Sequence, residues 1–227
     1  MPEAVSDIEE QEHAIAVLDN HGGPPDLGFG NNDGGGGPWR PSGTPQSTYT
    51  IGMLVALGGI SMFFMALVSA SVVHRGMPGS DWVPLRPPSI LWATSALAIA
   101  SSLTLLRARR MFKAGAESSF SRWWTATAVL GICFLSGQLL AWRELVSAGL
   151  YLVSNPSVGF FYVFTAAHGL HLLGGVIALL WIGWRQSHGW RKSSGISPAT
   201  ATAVAALYWH FVTALWLFLF SFFLIGG

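Results

Sequence analysis

Five long apolar stretches decide what this 227-residue chain can fold into. A helix needs roughly 20 apolar residues to cross the hydrocarbon core of a bilayer, and all five stretches come close to that length or exceed it. They cover Thr50–Val73, Ser89–Leu106, Trp124–Val146, Phe160–Trp184 and Ala199–Ile225. The sequence therefore predicts an all-α integral membrane bundle of five transmembrane helices.

The composition agrees with a membrane protein. Only 10% of the residues are charged, whereas a soluble domain carries about 25%. The net charge is +1, and no basic cluster lies outside the short loops, so nucleic acid is not an expected partner. Cys133 is the single cysteine, which rules out an intramolecular disulfide and a cysteine metal cluster. It lies in the third apolar segment, where we expect it to be buried.

Residues 1–47 differ from the rest of the chain. Eight of the 11 acidic residues lie between Glu3 and Asp33, followed by the glycine run Gly34–Gly37. Such a segment has too little apolar surface to offset the entropy lost on ordering. We predict a flexible acidic, glycine-rich cytoplasmic tail over residues 1–47 and a five-helix membrane domain over residues 48–227.

The basic residues predict the orientation. If the N-terminus is cytoplasmic, nine basic residues fall on the inner face and three on the outer face. The nine are Arg40, Arg107, Arg109, Arg110, Lys113, Arg122, Arg185, Arg191 and Lys192, and the three are Arg75, Arg86 and Arg143. This asymmetry predicts that the N-terminus is cytoplasmic and that the C-terminus lies on the outer side of the membrane.

Three histidines lie inside the predicted spans: His168 and His171 in the fourth, and His210 in the fifth. An imidazole at this depth is costly, so it normally faces other helices and has a partner. Their distances from the helix ends would let all three meet near mid-membrane. One interpretation makes them haem or metal ligands. The other makes them neutral groups that bond hydroxyls and carbonyls between helices, or contact lipid, and we favour it because His168 and His171 share one helix face.

Stripes of small and polar residues at helical spacing mark the predicted helix interfaces, because such residues allow close approach and bonding across helices in lipid. The stripes are Thr94, Ala98 and Ser101; Thr127, Gly131, Phe134, Gln138 and Ala141; Thr165, His168, Leu172 and Gly175; and Thr202, Ala206, His210, Thr213, Leu217 and Ser221.

No acidic residue lies at the centre of a span, so a proton relay and a catalytic centre are not expected. Arg185 closes the fourth span, either as a topological anchor or as a phospholipid headgroup site.

Two stretches carry a resemblance to a known family. Residues 160–171 read FFYVFTAAHGLH and residues 208–212 read YWHFV. Together with Leu91–Ser95 and Gly131–Phe134, they resemble subunit III of the haem–copper respiratory oxidases, in its five-helix form, over residues 48–227.

The resemblance implies a multi-pass, non-catalytic subunit of the bacterial inner membrane, with a periplasmic C-terminus. It would bind and stabilise subunit I, contact subunit II or small subunits, and hold phospholipid. Haem and copper would belong to the partner subunits. His168, His171, His210, Arg185 and Trp209 would then be lipid-binding or packing positions.

The chain also departs from that family's pattern. Ser61-Met62 stands where the family often has Ser-Glu, and Thr213 replaces the aspartate after the YWHFV motif. These losses weaken any direct role in proton transfer. Two rival functions stay open at this point. One is the accessory subunit of a nitric oxide reductase, and the other is a haem-bearing quinol dehydrogenase anchor that uses the three histidines.

Overall fold

The computed structural model describes residues 46–78, 82, 88–152, 155–190 and 196–226, and within these ranges it is entirely helical apart from turns and connections. The helices are α1 (Gln46–Arg75), α2 (Ile90–Lys113), α3 (Glu117–Ser147), α4 (Pro156–Ser187) and α5 (Pro198–Gly226). All five are long and apolar enough to cross a membrane, which confirms the predicted all-α architecture. The predicted tail lies outside the described residues, except for its last two positions, which begin α1.

The helices extend beyond the apolar segments from which they were predicted. α3 begins at Glu117 rather than Trp124, and α2 continues to Lys113 rather than ending at Leu106. The helices contain 24 to 32 residues, which corresponds to about 36–48 Å at 1.5 Å per residue and exceeds the roughly 30 Å of hydrocarbon. Apolar composition marks only the part in hydrocarbon, so the polar end turns were missed.

The helix starts follow from local chemistry. Asn155 is extended and its side chain accepts a hydrogen bond from the Ser157 amide at 3.0 Å, with Pro156 at the first helical position. Proline suits that position because its missing N–H would have no intrahelical partner. α5 likewise begins at Pro198.

The connection between α2 and α3 is only three residues long and turns at Gly115, whose φ of 71° favours glycine. Such a short connection makes α2 and α3 antiparallel neighbours.

Four of the helices form a closed bundle, in which α2 packs on α3, α3 on α4, α4 on α5, and α5 back on α2. α1 stands outside this ring and contacts only α4 and α5. Its apolar span is 11% buried, against 33–39% for the other four. Phe64 is its main anchor, packed with Phe164 and Leu219 in a small cluster of its own.

Large aromatic side chains fill the centre of the four-helix bundle. Trp209 and Trp216 of α5 are the largest side chains that are almost fully buried, at 1% and 0% exposure. Phe134 of α3 meets Trp216 edge to face, with ring centroids 5.0 Å apart. Edge-to-face contacts of this kind add about 0.5–1.5 kcal/mol beyond the area they bury.

The predicted stripes are buried on α2, α3 and α4, but the prediction for α5 was partly wrong. Thr202, Ala206 and Thr213 are buried, whereas His210 and Leu217 are only half-buried and Ser221 is exposed. The face that packs into the bundle instead carries Trp209 and Trp216, and the Trp209 ring lies against Gly131 of α3 and Gly175 of α4. The expected burial of Cys133 was also wrong, since its side chain is exposed on the apolar outer face of α3.

Candidate functional site

Two indoles of α5 donate hydrogen bonds to α2. Trp209 Nε1 donates to Ser101 Oγ at 3.1 Å, and Trp216 Nε1 donates to Ser95 Oγ at 3.0 Å. The two tryptophans are seven residues apart, two helical turns, so they present parallel anchors to one face of α2. Because buried polar groups need partners in a membrane, these bonds also set the register between the two helices.

Similar hydrogen bonds join the other neighbouring pairs of helices in the four-helix bundle. Each crosses from one helix to its neighbour inside the bundle, and most have an indole, phenol or hydroxyl as the donor. They are Trp124 Nε1 to the Leu179 carbonyl at 2.8 Å, Trp142 Nε1 to Thr165 Oγ1 at 3.0 Å, Gln138 Nε2 to Thr94 Oγ1 at 3.3 Å, the Thr104 and Thr127 hydroxyls at 2.9 Å, and Tyr208 OH to the His171 carbonyl at 2.8 Å.

Two glycines let the Trp209 ring reach its place. A Cβ atom at Gly131 would lie 2.6 Å from Trp209 Cη2, and one at Gly175 would lie 3.2 Å from the same indole. The ring is therefore held between the bare backbones of α3 and α4. Trp209 was predicted to be a packing or lipid-binding residue, and the structure places it at the centre of helix packing.

His168 lies in the middle of the bundle with 1% of its surface exposed. Its ring packs against Phe134 and Trp216, at centroid distances of 5.8 and 5.2 Å. Neither of its ring nitrogens has a hydrogen-bond partner among the described side chains and backbone groups. A buried polar group left without a partner costs about 1–3 kcal/mol, so this position requires an explanation.

His171 and His210 have other neighbours. His171 Nδ1 lies 2.7 Å from the Ala167 carbonyl oxygen of its own helix, and its ring meets Phe64 of α1. His210 Nδ1 bonds Ser102 Oγ of α2 at 2.6 Å. The three histidines therefore do not converge on a common point. Within the described residues, no group of three or more His, Cys, Asp or Glu side chains is placed to hold a metal ion.

The bond between His210 and Ser102 yields a testable expectation. Replacing His210 by leucine removes one cross-helix bond, and such bonds in membranes average roughly 0.6 kcal/mol and seldom exceed 2. We expect only a small drop in the apparent Tm of the purified protein. Ser102→Ala should cause a similar drop, and the double variant should fall no further than either single variant. Additive losses would contradict a direct bond between these side chains.

Arg185 lies near the end of α4 and contacts two indoles. Its guanidinium carbon is 4.9 Å from the centroid of Trp181 and 5.3 Å from that of Trp190. Trp190 is itself held by a bond from Nε1 to the Ile196 carbonyl at 3.0 Å. The two indoles also contact each other, with ring centroids 6.5 Å apart, so the guanidinium lies against a pair of aromatic rings and makes a cation–π contact with each.

An apolar cleft lies between α1 on one side and α4 and α5 on the other, and Trp181, which contacts Arg185, is part of its wall. Its volume is about 540 Å³. Tyr49 and Met53 line it from α1, Trp181 from α4, and Val204 and Tyr208 from α5. Trp181 thus lines the apolar cleft and also contacts the Arg185 guanidinium.

Comparison with known proteins agrees with this architecture. Residues 47–227 match the family model described as cytochrome c oxidase subunit III. The chain belongs to the cytochrome c oxidase subunit III family. It is 34% identical over 179 residues to a probable cytochrome c oxidase subunit 3 of Mycobacterium tuberculosis, covering 76% of this chain and 85% of that protein.

Two further relatives carry similar names. A probable cytochrome c oxidase subunit 3 of Nocardia farcinica is 32% identical over 178 residues, covering 76% of this chain and 85% of that protein. A cytochrome c oxidase subunit 3 of Thermostichus vulcanus is 31% identical over 176 residues, covering 75% and 84%. The relatives are bacterial, and the five spans make this subunit III chain a multi-pass bacterial membrane protein.

Family membership does not by itself explain which residues organise the bundle. The packing or lipid-binding residues predicted from the sequence included Trp209 and the histidines of this subunit III chain but did not include Trp216, Trp124 or Ser95. The available signal was the spacing of Trp209 and Trp216, with Ser95 and Ser101 spaced by six residues on α2. Indole N–H groups at helical spacing opposite hydroxyls at similar spacing indicate a paired interface.

Proposed function

We propose that this chain is the non-catalytic subunit III of a bacterial haem–copper terminal oxidase and that it stabilises the catalytic subunit I. The match of the whole membrane part, residues 47–227, to the subunit III family carries the proposal. A family of oxidase subunits implies a complex with other oxidase subunits. We place subunit I in direct contact with this chain, and subunit II and small subunits nearby.

The chemistry of the described residues favours a structural role for this subunit over a catalytic one. Glu117 and Glu144 are the acidic residues of the described ranges, and both lie within a few residues of the ends of α3. The bundle centre therefore has no carboxylate to pass protons. We assign oxygen reduction, haem and copper to the partner subunits, and no cofactor to this chain.

The rival functions receive less support. A haem anchor needs opposed histidines on separate helices, but here the His168, His171 and His210 rings have different neighbours, Phe134 and Trp216, Phe64, and Ser102 respectively. The family description and the names of the relatives both specify cytochrome c oxidase, which favours the oxidase over a nitric oxide reductase.

We also propose that the cleft holds phospholipid. Its walls are apolar, which suits an acyl chain, and Arg185, which contacts Trp181 of the cleft wall, offers N–H donors to a phosphate. The positive-inside count puts this end of α4 on the cytoplasmic side. In this proposal His171 is bonded within α4, His210 is bonded across to α2, and Arg185 is the residue that contacts the headgroup.

The lipid proposal predicts a loss on removing Arg185. Purified complex carrying Arg185→Gln is expected to retain about one phospholipid fewer than wild type when lipids are counted by native mass spectrometry. Arg122→Gln is the matched control, because Arg122 is exposed and bonds only Ser119 among the described residues. Equal lipid retention in both variants would remove Arg185 from the lipid site.

A second arm tests the cleft itself. Val204→Phe places a bulky ring in the apolar space and leaves the contacts of Arg185 with Trp181 and Trp190 intact. We expect the same phospholipid to be lost. If Val204→Phe retained the lipid that Arg185→Gln loses, the acyl chain would have to lie elsewhere.

The supporting role is tested by the oxidase without this chain. Complex purified from a strain lacking the gene should begin turnover at a normal rate per haem and lose activity after fewer cycles than the complete enzyme. Restoring the wild-type chain should restore the lifetime. An identical lifetime with and without the chain would contradict the proposed function.

A further inference from the structure

A small cavity lies at the centre of the four-helix bundle, beside His168. Its volume, measured as the space that the centre of a water molecule can occupy, is about 10 Å³. Side chains from α2, α3, α4 and α5 enclose it, among them Ser101, Phe134, His168 and Thr213. All four are at most 7% exposed. The volume corresponds to a single water molecule, because a cavity needs roughly 10–15 Å³ by this measure to hold one.

The His168 ring requires a polar partner here. A neutral imidazole carries one N–H donor and one nitrogen that accepts, and neither ring nitrogen is bonded to the described protein. Phe134 and Trp216 pack against the ring, and the indole N–H of Trp216 is committed to Ser95. Since buried polar side chains are almost always hydrogen-bonded, a partner must come from the cavity.

The other polar groups of the cavity have spare acceptor capacity. Thr213 Oγ1 donates its hydrogen to the Trp209 carbonyl at 3.0 Å and retains lone pairs. Ser101 Oγ donates to the Ala98 carbonyl at 2.7 Å and accepts from Trp209 Nε1, which leaves one lone pair. The Thr213 and Ser101 oxygens can therefore bind only a ligand that donates a hydrogen bond. The His168 ring can bind a ligand that donates a hydrogen bond or one that accepts it.

We propose that the cavity binds one water molecule, which hydrogen-bonds His168 and Thr213 and thereby links α4 to α5 at the centre of the bundle. Water meets both requirements because it has two hydrogens and two lone pairs. An apolar ligand would leave His168 without a hydrogen bond. A metal ion is a poor fit, because the cavity offers it only one imidazole and two neutral hydroxyls that already donate their hydrogens to carbonyls. The linkage rests on the packing of this chain and is independent of the oxidase role.

The first test is a density map of the assembly that contains this chain, at a resolution that shows ordered waters. We expect one isolated peak within hydrogen-bond distance of a His168 ring nitrogen and of Thr213 Oγ1. An empty cavity at the same contour that shows waters elsewhere in the bundle would overturn the proposal.

The second test measures the coupling of the two side chains. His168→Leu, Thr213→Val and the double variant are compared by the apparent Tm of the purified full-length chain in nanodiscs. Because one water serves both groups, the Tm loss of the double variant should be smaller than the sum of the single losses by about 2–4 °C, the shift expected for one hydrogen bond in a chain of this size.

Thr202→Val provides the matched control. Thr202 is also buried on α5 and also donates to a carbonyl of its own helix, at 2.9 Å from Pro198 O, but it does not line the cavity. Its loss should add to that of His168→Leu. Additivity for Thr213 as well would overturn the water link. If His168→Leu fails to fold, the map of the wild-type protein still decides the question.

Discussion

Replacing Gly131 by valine is expected to remove most of the correctly assembled protein from the membrane. The new Cβ would lie 2.6 Å from Trp209 Cη2 and 3.1 Å from Val176 Cγ2. Trp209 cannot move aside, because it is 1% exposed and its other edge lies against Gly175. Overpacking costs about 1–3 kcal/mol and occasionally more, and a rigid ring held on both sides belongs at the upper end of that range. The measurement is the amount of tagged chain retained in the purified complex, together with its apparent Tm.

Gly169→Val is the control for this substitution. Gly169 is also in the middle of a transmembrane helix, but a Cβ there would meet no atom within 4 Å outside its own helix backbone. The two variants share the same change in side chain and in backbone freedom, so only the packing differs. Gly175→Leu should fall between them, since its Cβ contacts are 3.1–3.2 Å. Equal retention of the Gly131 and Gly169 variants would mean that α5 does not approach α3 as described.

Truncating Trp216 to alanine is expected to destabilise the bundle by about 3–5 kcal/mol, the usual cost of removing a buried aromatic side chain. Trp216 is 0% exposed, meets Phe134 and His168, and donates to Ser95. The loss opens a cavity shared by three helices. The apparent Tm of the purified protein reports the change.

Two controls accompany the Trp216 substitution. Trp216→Phe retains a six-membered aromatic ring and loses the pyrrole part with its N–H donor, so it should cost less than alanine. Trp184→Ala removes an indole that is 60% exposed and should have little effect on the bundle. If Trp216→Phe were as damaging as Trp216→Ala, the six-membered ring would contribute nothing to stability, which would contradict the packing described for Trp216.

The membrane-spanning helices were predictable because length and apolar composition suffice to identify them. The buried faces of α2 and α3 were also predictable, since Thr94, Ser101, Thr127 and Gln138 are polar residues in apolar helices and have to face inward. α5 offered little such contrast. Nearly every residue from Leu207 to Leu224 is apolar, so the polar pattern could not show that the tryptophans face the bundle more fully than His210 does.

The depths of the three histidines along their helices allowed them to meet near mid-membrane, but depth alone does not determine whether they do. Residues three apart on a helix differ by about 60° in direction, so His168 and His171 diverge although both lie on one broad face. His168 faces the bundle interior and His171 faces α1. The direction of a side chain around its helix depends on how the helices pack, which a single sequence does not specify.

The most direct measurement is the visible spectrum of the chain purified through a C-terminal tag, before and after mild detergent separates it from its partners. The account predicts a haem signal and a large catalytic subunit in the intact assembly, and no Soret band in the separated chain. A separated chain that retains a Soret band would contradict the account, because its histidines would then be haem ligands.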